Sequence, residues 1–461
     1  MTGERTPERV AGPDEGPDLS AHEQAERCYL RHVDQHLPRN ARAYLAHGML
    51  GMTGFRLVSA PTFVPAYLYL LSGSKLTVGI VLSAQYAGMA ASSIWGATLI
   101  EHRPRVMPLI YLVGWLVRAQ ILGLALSALW LSGEAALVAA GIFLLLFGLL
   151  NGVQNVSFNY LTSKIIPLAR RGRLTALRNF CGGLTAAAVA WLGGRYLVGN
   201  QVLGNGYAAT FLAAFVLTSI GISALTQMRE PTLHDVRLPA GFLRRLAEVP
   251  ALLRADRDFV RFFVARALVA FGMMAMPFYA IYAGTHIDLS GAVLGYMSLA
   301  YLLAQTTSSL AWGRIADRYG YRLVFLASIA LWVAATLLLL CGTTLPGFLL
   351  AFCGLGAAFG GFFISADNLV MEFGSRKDRP MLLAVSDTAT YAMMAIGPVC
   401  GGLLAQGVRF WVVFALAILV KCAAFVLALR IVDPRRRRAA LEHPPGLHRH
   451  PTPIQSRRTD P

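Results

Sequence analysis

Charged residues are scarce in this chain, and their scarcity excludes an ordinary soluble domain. Only 14% of the 461 residues are charged and 56% are hydrophobic, whereas a soluble domain carries about 25% charged residues. Cysteine is sparse as well. The six cysteines form no C-x-x-C pair, which indicates neither a zinc site nor a disulfide framework. A P-loop pattern is missing too, which argues against a protein driven by ATP.

What the sequence has instead is twelve long hydrophobic runs. A helix of about 20 residues crosses a hydrocarbon core about 30 Å thick, and such a segment must satisfy its own backbone polar groups in lipid. The runs lie near 44–71, 76–98, 106–131, 136–162, 175–198, 208–227, 258–284, 290–313, 323–342, 347–371, 381–406 and 410–432. We therefore predict an all-α membrane protein with twelve transmembrane helices.

The longest break in this pattern divides the runs into two six-helix halves. It extends from Met228 to about Arg257 and holds three prolines and many charges. The predicted organisation is an N-terminal tail (1–43), a six-helix bundle (44–227), a linker (228–257), a second six-helix bundle (258–432) and a disordered C-terminal tail (433–461). The N-terminal tail lacks the apolar stretch of a secretory signal, and we expect it to be disordered or weakly helical.

The basic residues lie on one side of this pattern. Most of them lie in the breaks that follow the even-numbered runs. Examples are Arg103, Arg105, Lys164, Arg170, Arg171, Arg173, Arg314, Arg318, Arg322, Arg376, Lys377 and Arg379. The positive-inside bias then puts both termini and the linker in the cytoplasm. We attribute the net charge of +17 to this topology and to contact with anionic lipid headgroups, not to a nucleic-acid partner.

Matching residues recur in the two halves. Between the second and third run of each half stand a serine pair, a Trp-Gly pair and an acid, the Trp-Gly pairs being Trp95-Gly96 and Trp312-Gly313. Pro65 and Tyr67 of the first run recur as Pro277 and Tyr279 of the seventh, at an offset of 277 − 65 = 212. A parallel duplication of two six-helix halves is typical of one kind of secondary transporter.

One of these segments resembles a known signature. Gly313 to Arg322 read GRIADRYGYR, which resembles the G-x-x-x-D-R-x-G-R-R signature of the major facilitator superfamily. The N-terminal copy is degenerate, with Arg103-Pro104 where Gly-Arg is usual. The resemblance covers roughly residues 44–432. It implies the fold of that family and a secondary transporter of a small molecule that works by alternating access, with no cofactor and no enzymatic activity. We expect a monomer surrounded by membrane lipids, and the low lysine count favours a bacterial inner membrane.

The resemblance also implies a gate. In that family each signature loop docks against the start of a helix in the opposite half and holds the cytoplasmic side closed. The gating residues would be Gly96, Arg105, Arg178, Gly313, Asp317, Arg318, Arg322 and Asp387. We predict that Asp317 approaches Arg178 and that Arg103 or Arg105 approaches Asp387, and that Gly313 permits a turn and a close helix approach. The alternative is that these charges only set topology.

A substrate site is expected near the bilayer midplane between the halves, and the family lines it with the first and fourth helices of each half. Ionisable residues inside a membrane are functional candidates. The predicted substrate-binding residues are Arg56, Tyr67, Asn151, Asn155, Asn159, Arg266 and Tyr279. The asparagines are spaced i, i+4, i+8 and share one helix face, and the two arginines suit a carboxylate or phosphate. Alternatively these residues are structural: Arg56 pairs with Asp367, and the asparagines join helices.

Proton coupling requires an acid at depth, and Asp367 is the acid that we place in a cavity helix. Burial raises the pKa of such a carboxylate toward neutrality, although Asp367 is also a candidate for a permanent ion pair. The alternatives for the whole chain are a drug or metabolite efflux pump of the same fold and a transport-inactive membrane sensor. We expect no metal site, since the histidines of the C-terminal tail (His443, His448 and His450) are most simply interpreted as solvated.

Overall fold

The computed structural model describes residues 21–100, 103–231, 256–373, 379–407 and 410–432, and within these ranges the chain is helical with short connections. The N-terminal half contains α1 (Ala21–Ala46), α2 (Thr53–Ser59), α3 (Phe63–Ser72), α4 (Lys75–Ile100), α5 (Met107–Trp130), α6 (Gly133–Ile165), α7 (Leu168–Leu192) and α8 (Gly206–Ser223). The C-terminal half contains α9 (Arg257–Phe271), α10 (Tyr279–Ala283), α11 (Gly291–Tyr319), α12 (Tyr321–Cys341), α13 (Leu345–Glu372), α14 (Arg379–Gly407) and α15 (Phe410–Leu429).

Every predicted hydrophobic run coincides with helix. Eight helical segments of the described residues are long and apolar enough to cross a membrane: Met107–Trp130, Gly133–Ile165, Gly206–Gln227, Arg257–Ala283, Tyr321–Cys341, Leu345–Glu372, Met381–Gly407 and Phe410–Leu429. The other four runs fall on α2 with α3, on α4, on α7 and on α11. The predicted all-α architecture of twelve transmembrane helices is confirmed.

Local sequence signals explain where several of these helices begin. The side chain of Asn205 accepts hydrogen bonds from the backbone of Tyr207 and Ala208 at the start of α8. Asp256 caps α9 in the same manner, and Ser290 accepts from the Val293 backbone at the start of α11. These side chains satisfy backbone N–H groups that have no partner within the helix.

The first helix of each half is broken at the same place. Between α2 and α3, Ala60 is extended ahead of Pro61, as the residue before a proline prefers. Between α9 and α10, the chain tightens into a 3₁₀ helix over Gly272–Phe278, which contains Pro277. Runs one and seven are therefore helical segments interrupted near a proline. The shared break supports the duplication inferred from Pro65 and Pro277.

Two ends of the bundle can be distinguished. Loops 103–106, 166–167 and 228–231 meet at one end, which we call the basic end, and loops 73–74 and 199–205 lie at the other, the opposite end. At the opposite end the halves pack directly, α4 against α14 and α7 against α11. Gly79 lies so close to the Pro398 carbonyl, and Gly194 so close to the α11 backbone, that a Cβ at either would collide.

The predicted N-terminal tail needs correction. Residues 21–46 form α1, which packs on the basic end of the N-terminal half through its apolar face, including Val33, Leu37 and Tyr44. Tyr29 donates to the backbone carbonyl of Lys164, 2.9 Å away, and burial raises the pKa of this tyrosine, which keeps it a donor. The spacing of the apolar residues in α1 indicates a helix, but the segment is so polar that the pattern is easily missed. The C-terminal tail and most of the linker lie outside the described residues.

Candidate functional site

A cavity of about 420 Å³ lies between the two halves. Its N-terminal wall holds most of its polar side chains, from α2, α6 and α7 and from His47 before α2, together with apolar side chains that include Phe55 and Phe158. Its C-terminal wall is formed by Tyr301, Leu302 and Gln305 of α11 with Phe359 and Phe363 of α13. This position agrees with the site expected from sequence, except that α7 and α11 contribute where α9 was expected.

The hydrogen bonds between the halves of the described chain lie toward the opposite end. Near the opposite end, Lys75 donates to the carbonyl of Ala405 at 3.1 Å and Ser298 donates to Thr62 at 2.7 Å. Arg56 makes the deepest of these contacts. Among the hydrogen bonds and ion pairs between described residues, none joins the halves at the basic end. The cavity therefore belongs to a conformation that is closed at the opposite end.

Arg56 lies on the cavity wall, as the sequence predicts, but not with Asp367. Its Nη1 donates to the hydroxyl of Thr306 in the other half and its Nη2 to the backbone carbonyl of Asn179, both at 3.3 Å. These acceptors are neutral oxygens. Among the described residues no carboxylate lies within ion-pair distance of Arg56.

Arg178 is a second cation on this wall. Its guanidinium lies over the rings of Tyr44 and Phe158, at 4.8 Å and 4.6 Å from their centroids. It is close enough to Arg56 for the two charges to repel. His47 stacks on Phe158 beside it at 5.0 Å, and neither of its ring nitrogens has a hydrogen-bond partner among the described atoms. The sequence assigned Arg178 only to the gate.

The predicted asparagine stripe lies on the same wall. Asn151, Asn155 and Asn159 of α6 all line the cavity, and Gln154 lies beside them. Asn155 and Asn159 are exposed to the cavity rather than packed between helices. The arrangement leaves amide donors and acceptors free for a solute, and it does not match the alternative in which the stripe joins helices.

Arg266 does not line the cavity. It is 2% exposed, and its Nη2 lies 2.9 Å from Asp367 Oδ1 and 2.7 Å from Asp387 Oδ1. The structure thus corrects three expectations: Arg266 is not a free anion clamp, Asp367 pairs with Arg266 instead of Arg56, and Asp387 does not pair with Arg103 or Arg105. Two carboxylates from α13 and α14 share one guanidinium nitrogen from α9.

Tyr67 and Tyr279 are also displaced from the predicted site. Tyr67 is buried against Tyr207 and Phe211, with ring centroids 5.6 Å and 5.7 Å away. Tyr279 is buried in the other half, where its hydroxyl accepts from Trp332 Nε1 at 3.2 Å. Each tyrosine follows the break in its helix, and the break turns the side chain into the core of its own half.

The predicted gate is not formed. Among the described residues, Asp317 and Arg178 make no ion pair, and Asp317, Arg318 and Arg105 are exposed at the basic end. Arg322 donates to the carbonyl of Leu429 at 2.8 Å within its own half. Gly313 has open space around it and lies inside α11, so the expected turn and close approach are wrong here, whereas Gly96 does lie against Val153 of α6.

Further ionisable side chains lie away from the cavity. Arg118 is fully buried and donates to the carbonyls of Gly114 and Thr218, and Lys421 donates to the carbonyl of Gly272. Neither reaches out of the bundle toward lipid headgroups. In the part of the chain that is described, no group of three or more histidine, cysteine or acidic side chains is arranged to hold a metal.

Comparison with solved structures identifies the fold. The nucleoside transporter NupG superposes with a TM-score of 0.66 at 15% identity, covering 84% of this chain and 99% of its own. A D-xylose-proton symporter matches with the same TM-score at 14% identity, covering 87% of this chain and 99% of its own. XylE from E. coli, in a partially occluded inward open conformation, matches with a TM-score of 0.65 at 12% identity, covering 86% of this chain and 98% of its own. These likenesses show that the chain shares the fold of these three structures.

The sequence comparisons cover less of the chain. The family described as Major Facilitator Superfamily matches residues 262–461. The efflux pump dotC of Dothistroma septosporum is 27% identical over 121 residues, which are 26% of this chain and 21% of that protein. The methylenomycin A resistance protein of Bacillus subtilis (strain 168) is 28% identical over 138 residues, 29% of each chain. The chain therefore spans between a fifth and a third of the curated relatives that it matches. The C-terminal part of the chain is therefore similar in sequence to the Major Facilitator Superfamily, and the fold is similar to that of the three transporters above.

Proposed function

We propose that the chain is a secondary active transporter that moves a small organic anion across a membrane by alternating access. The observation that carries this proposal is the presence of Arg56 and Arg178 on the cavity wall without a carboxylate partner among the described residues. A guanidinium inside a membrane costs at least about 2.5–3.5 kcal/mol. An anionic solute offsets that cost, since carboxylate and phosphate accept paired hydrogen bonds from guanidinium.

Proton coupling is assigned to the cluster of Arg266, Asp367 and Asp387. With both acids ionised, the cluster carries a net charge of −1, and one proton neutralises it. The side chains of Asp367 and Asp387 are 46% and 30% exposed, so neither carboxylate is fully enclosed in the protein core. The two acids act as one proton acceptor because they share the same arginine nitrogen, and such coupled groups titrate as a pair.

The proposed orientation follows from the charges. The basic end faces the cytoplasm, in agreement with the positive-inside bias, and the protein is a multi-pass protein of a bacterial inner membrane with both tails inside. The conformation described here is then open to the cytoplasm. In the other conformation, Asp317 and Arg178 meet and close the basic end.

Export is the second candidate. The efflux pump and the antibiotic resistance protein among the relatives favour it, although the shared segment is short. An organic anion is compatible with either direction, and the direction is set by how the proton cluster is coupled. A transport-inactive sensor of the same fold remains distinguishable by experiment, because it binds solute without exchange.

The proposal is tested with the purified full-length chain. Thermal stabilisation is measured with benzoate, octanoate, gluconate and phenyl phosphate, with benzamide and octanamide as neutral controls, and with benzylamine as a cation. The best anion is then tested for counterflow in proteoliposomes. We expect acids to stabilise and exchange, and Arg56→Ala to lose both responses, whereas Arg42→Ala, an exposed arginine of α1, retains them. Stabilisation by neutral or cationic solutes only, or full counterflow in Arg56→Ala, contradicts the proposal.

A further inference from the structure

The two walls of the cavity differ in chemistry. The N-terminal wall carries two arginines and the amides of α6 beside the rings of Phe55 and Phe158, whereas the C-terminal lining residues are uncharged and mostly aromatic. Phe359 and Phe363 stand one turn apart on α13, with ring centroids 4.6 Å apart. Both are partly exposed, and the space that they face is the cavity. Gln305 is the main polar side chain on that side.

The aromatic wall is held in place from behind. The ring of Phe359 lies 6.0 Å from those of Tyr301 and Trp332, and the ring of Phe363 lies 5.2 Å from that of Phe362. Trp332 is buried and its Nε1 donates to the Tyr279 hydroxyl. Because its rings are fixed by packing, this wall is a preformed apolar surface that need not rearrange to receive a ligand.

Such a surface is poorly matched to a small hydrophilic ion. An inorganic ion or a two-carbon acid would occupy the polar wall and leave the rings of Phe359 and Phe363 in contact with water. A solute with an apolar body removes that apolar area from water, which is the main favourable term in binding to a preformed pocket. The volume of about 420 Å³ lies within the range of about 300–1,000 Å³ that is usual for sites that bind organic ligands.

We infer that the solute is an amphipathic organic anion, whose acidic group lies among Arg56, Arg178 and the asparagines and whose aromatic or aliphatic body lies against Phe359, Phe363 and Tyr301. This inference rests on the proposed function, because it names the class of anion that the same cavity takes. Each half of the protein then binds a different part of the solute. The halves are thus bridged by the solute itself, with recognition of charge on one side and of apolar shape on the other.

The test is a homologous series of carboxylates. Acetate, butyrate, hexanoate and octanoate are titrated calorimetrically into the full-length protein in lipid nanodiscs, with empty nanodiscs as blanks and octanamide as the neutral control. Burial of each methylene on the aromatic wall is expected to raise the affinity about fourfold, so octanoate binds far more tightly than butyrate. Phe363→Ala is expected to flatten this dependence on chain length. Trp411→Ala, which removes an exposed aromatic ring outside the cavity, leaves it unchanged.

The outcomes separate the two proposals. If the acids bind with affinities that do not depend on chain length, the amphipathic inference is overturned and the organic-anion transporter stands. If no acid binds, or if octanamide binds as tightly as octanoate, both are overturned. An equal loss in Phe363→Ala and Trp411→Ala also contradicts the inference. The wild-type series alone decides the matter should the alanine variants not fold.

Discussion

Arg56 of the N-terminal half donates a hydrogen bond to the hydroxyl of Thr306 in the C-terminal half, across 3.3 Å. This bond joins the halves at the inner boundary of the cavity, on the side where the bundle is closed. The same guanidinium is offered to the cavity and to the interface, so a bound anion competes with Thr306 for its donors. Substrate binding and the contact between the halves are therefore linked through one side chain.

Thr306→Val keeps the shape of the side chain and removes the acceptor, and we expect it to favour opening at the opposite end. A hydrogen bond to a charged group contributes about 1.5–3 kcal/mol. A difference of only about 0.75 kcal/mol between the two conformations already changes their ratio about threefold. The measurement is the distance between spin labels at Leu70 and Trp411, which are exposed near the opposite end in different halves. Thr307→Val is the matched control, because Thr307 is exposed and bonds only within α11. Equal distance distributions in both variants would count against the link.

The shared arginine predicts how the two acids respond to neutralisation. Asp367→Asn and Asp387→Asn each remove one of the carboxylates on Arg266 Nη2 and leave a neutral pair that no longer accepts a proton readily. We expect uptake driven by a pH gradient to fall at least tenfold in either variant, while exchange of solute on both sides of the membrane continues. The measurement compares gradient-driven uptake with counterflow in the same proteoliposomes. Asp288→Asn, which changes an exposed acid at the opposite end, serves as the control. If Asp387→Asn retains gradient-driven uptake, Asp387 takes no part in proton coupling.

Sequence predicts some parts of this site and not others, for reasons that individual residues make clear. The asparagine stripe of α6 is recognisable because helix periodicity alone places Asn151, Asn155 and Asn159 on one face. The partner of Arg266 cannot be recognised in the sequence, because Asp387 lies 121 residues away. Only the packing of α9 against α14 brings the two side chains together. The position of Tyr67 is not predictable either, because the break at Ala60 and Pro61 sets the direction of α3 and its side chain packs on Tyr207 and Phe211.

The closed opposite end depends on a close backbone approach. A Cβ at Gly79 would collide with the Pro398 carbonyl on α14, and backbone atoms do not yield as a flexible side chain does. We expect Gly79→Ala to disfavour the conformation described here and to lower counterflow at least tenfold. Gly141→Ala is the matched control, since a Cβ at Gly141 meets open space. Similar transport in the two variants would show that the halves close in another way.

Asp317 and Arg178 are the two residues that we expect to pair in the gate. Asp317 and Arg178 make no ion pair here, and we expect them to meet only when the basic end closes. Asp317→Arg with Arg178→Asp should then recover more transport than either single change. Recovery is only partial, because Arg178→Asp also removes a cation of the proposed anion site and the contacts of Arg178 with the rings of Tyr44 and Phe158. Counterflow rates of the three variants measure this. Recovery no greater than that of the better single variant means that the two side chains do not pair.

A buried ion pair fixes the start of the linker to the N-terminal half. Lys164 Nζ lies 2.9 Å from Glu230 Oε1, and both side chains are 3% exposed. Glu230 also accepts hydrogen bonds from the backbone of Val106 and Met107 at the start of α5, where the helix dipole favours a negative charge.

Removing one partner of this pair leaves the other charged and buried, which costs about 3–5 kcal/mol in comparable cases. We expect Lys164→Met to lower the melting temperature of the purified protein by several degrees. Arg261→Met, which breaks the more exposed pair with Asp258, should have little effect because exposed pairs contribute about 0.2–1 kcal/mol. The double variant Lys164→Met with Glu230→Gln restores part of the loss, since no unpaired charge remains, but it does not restore the capping strength of the carboxylate at α5. Equal shifts for Lys164→Met and Arg261→Met would mean that the linker is held by other contacts, such as the bonds of Asn40 with the Arg229 backbone.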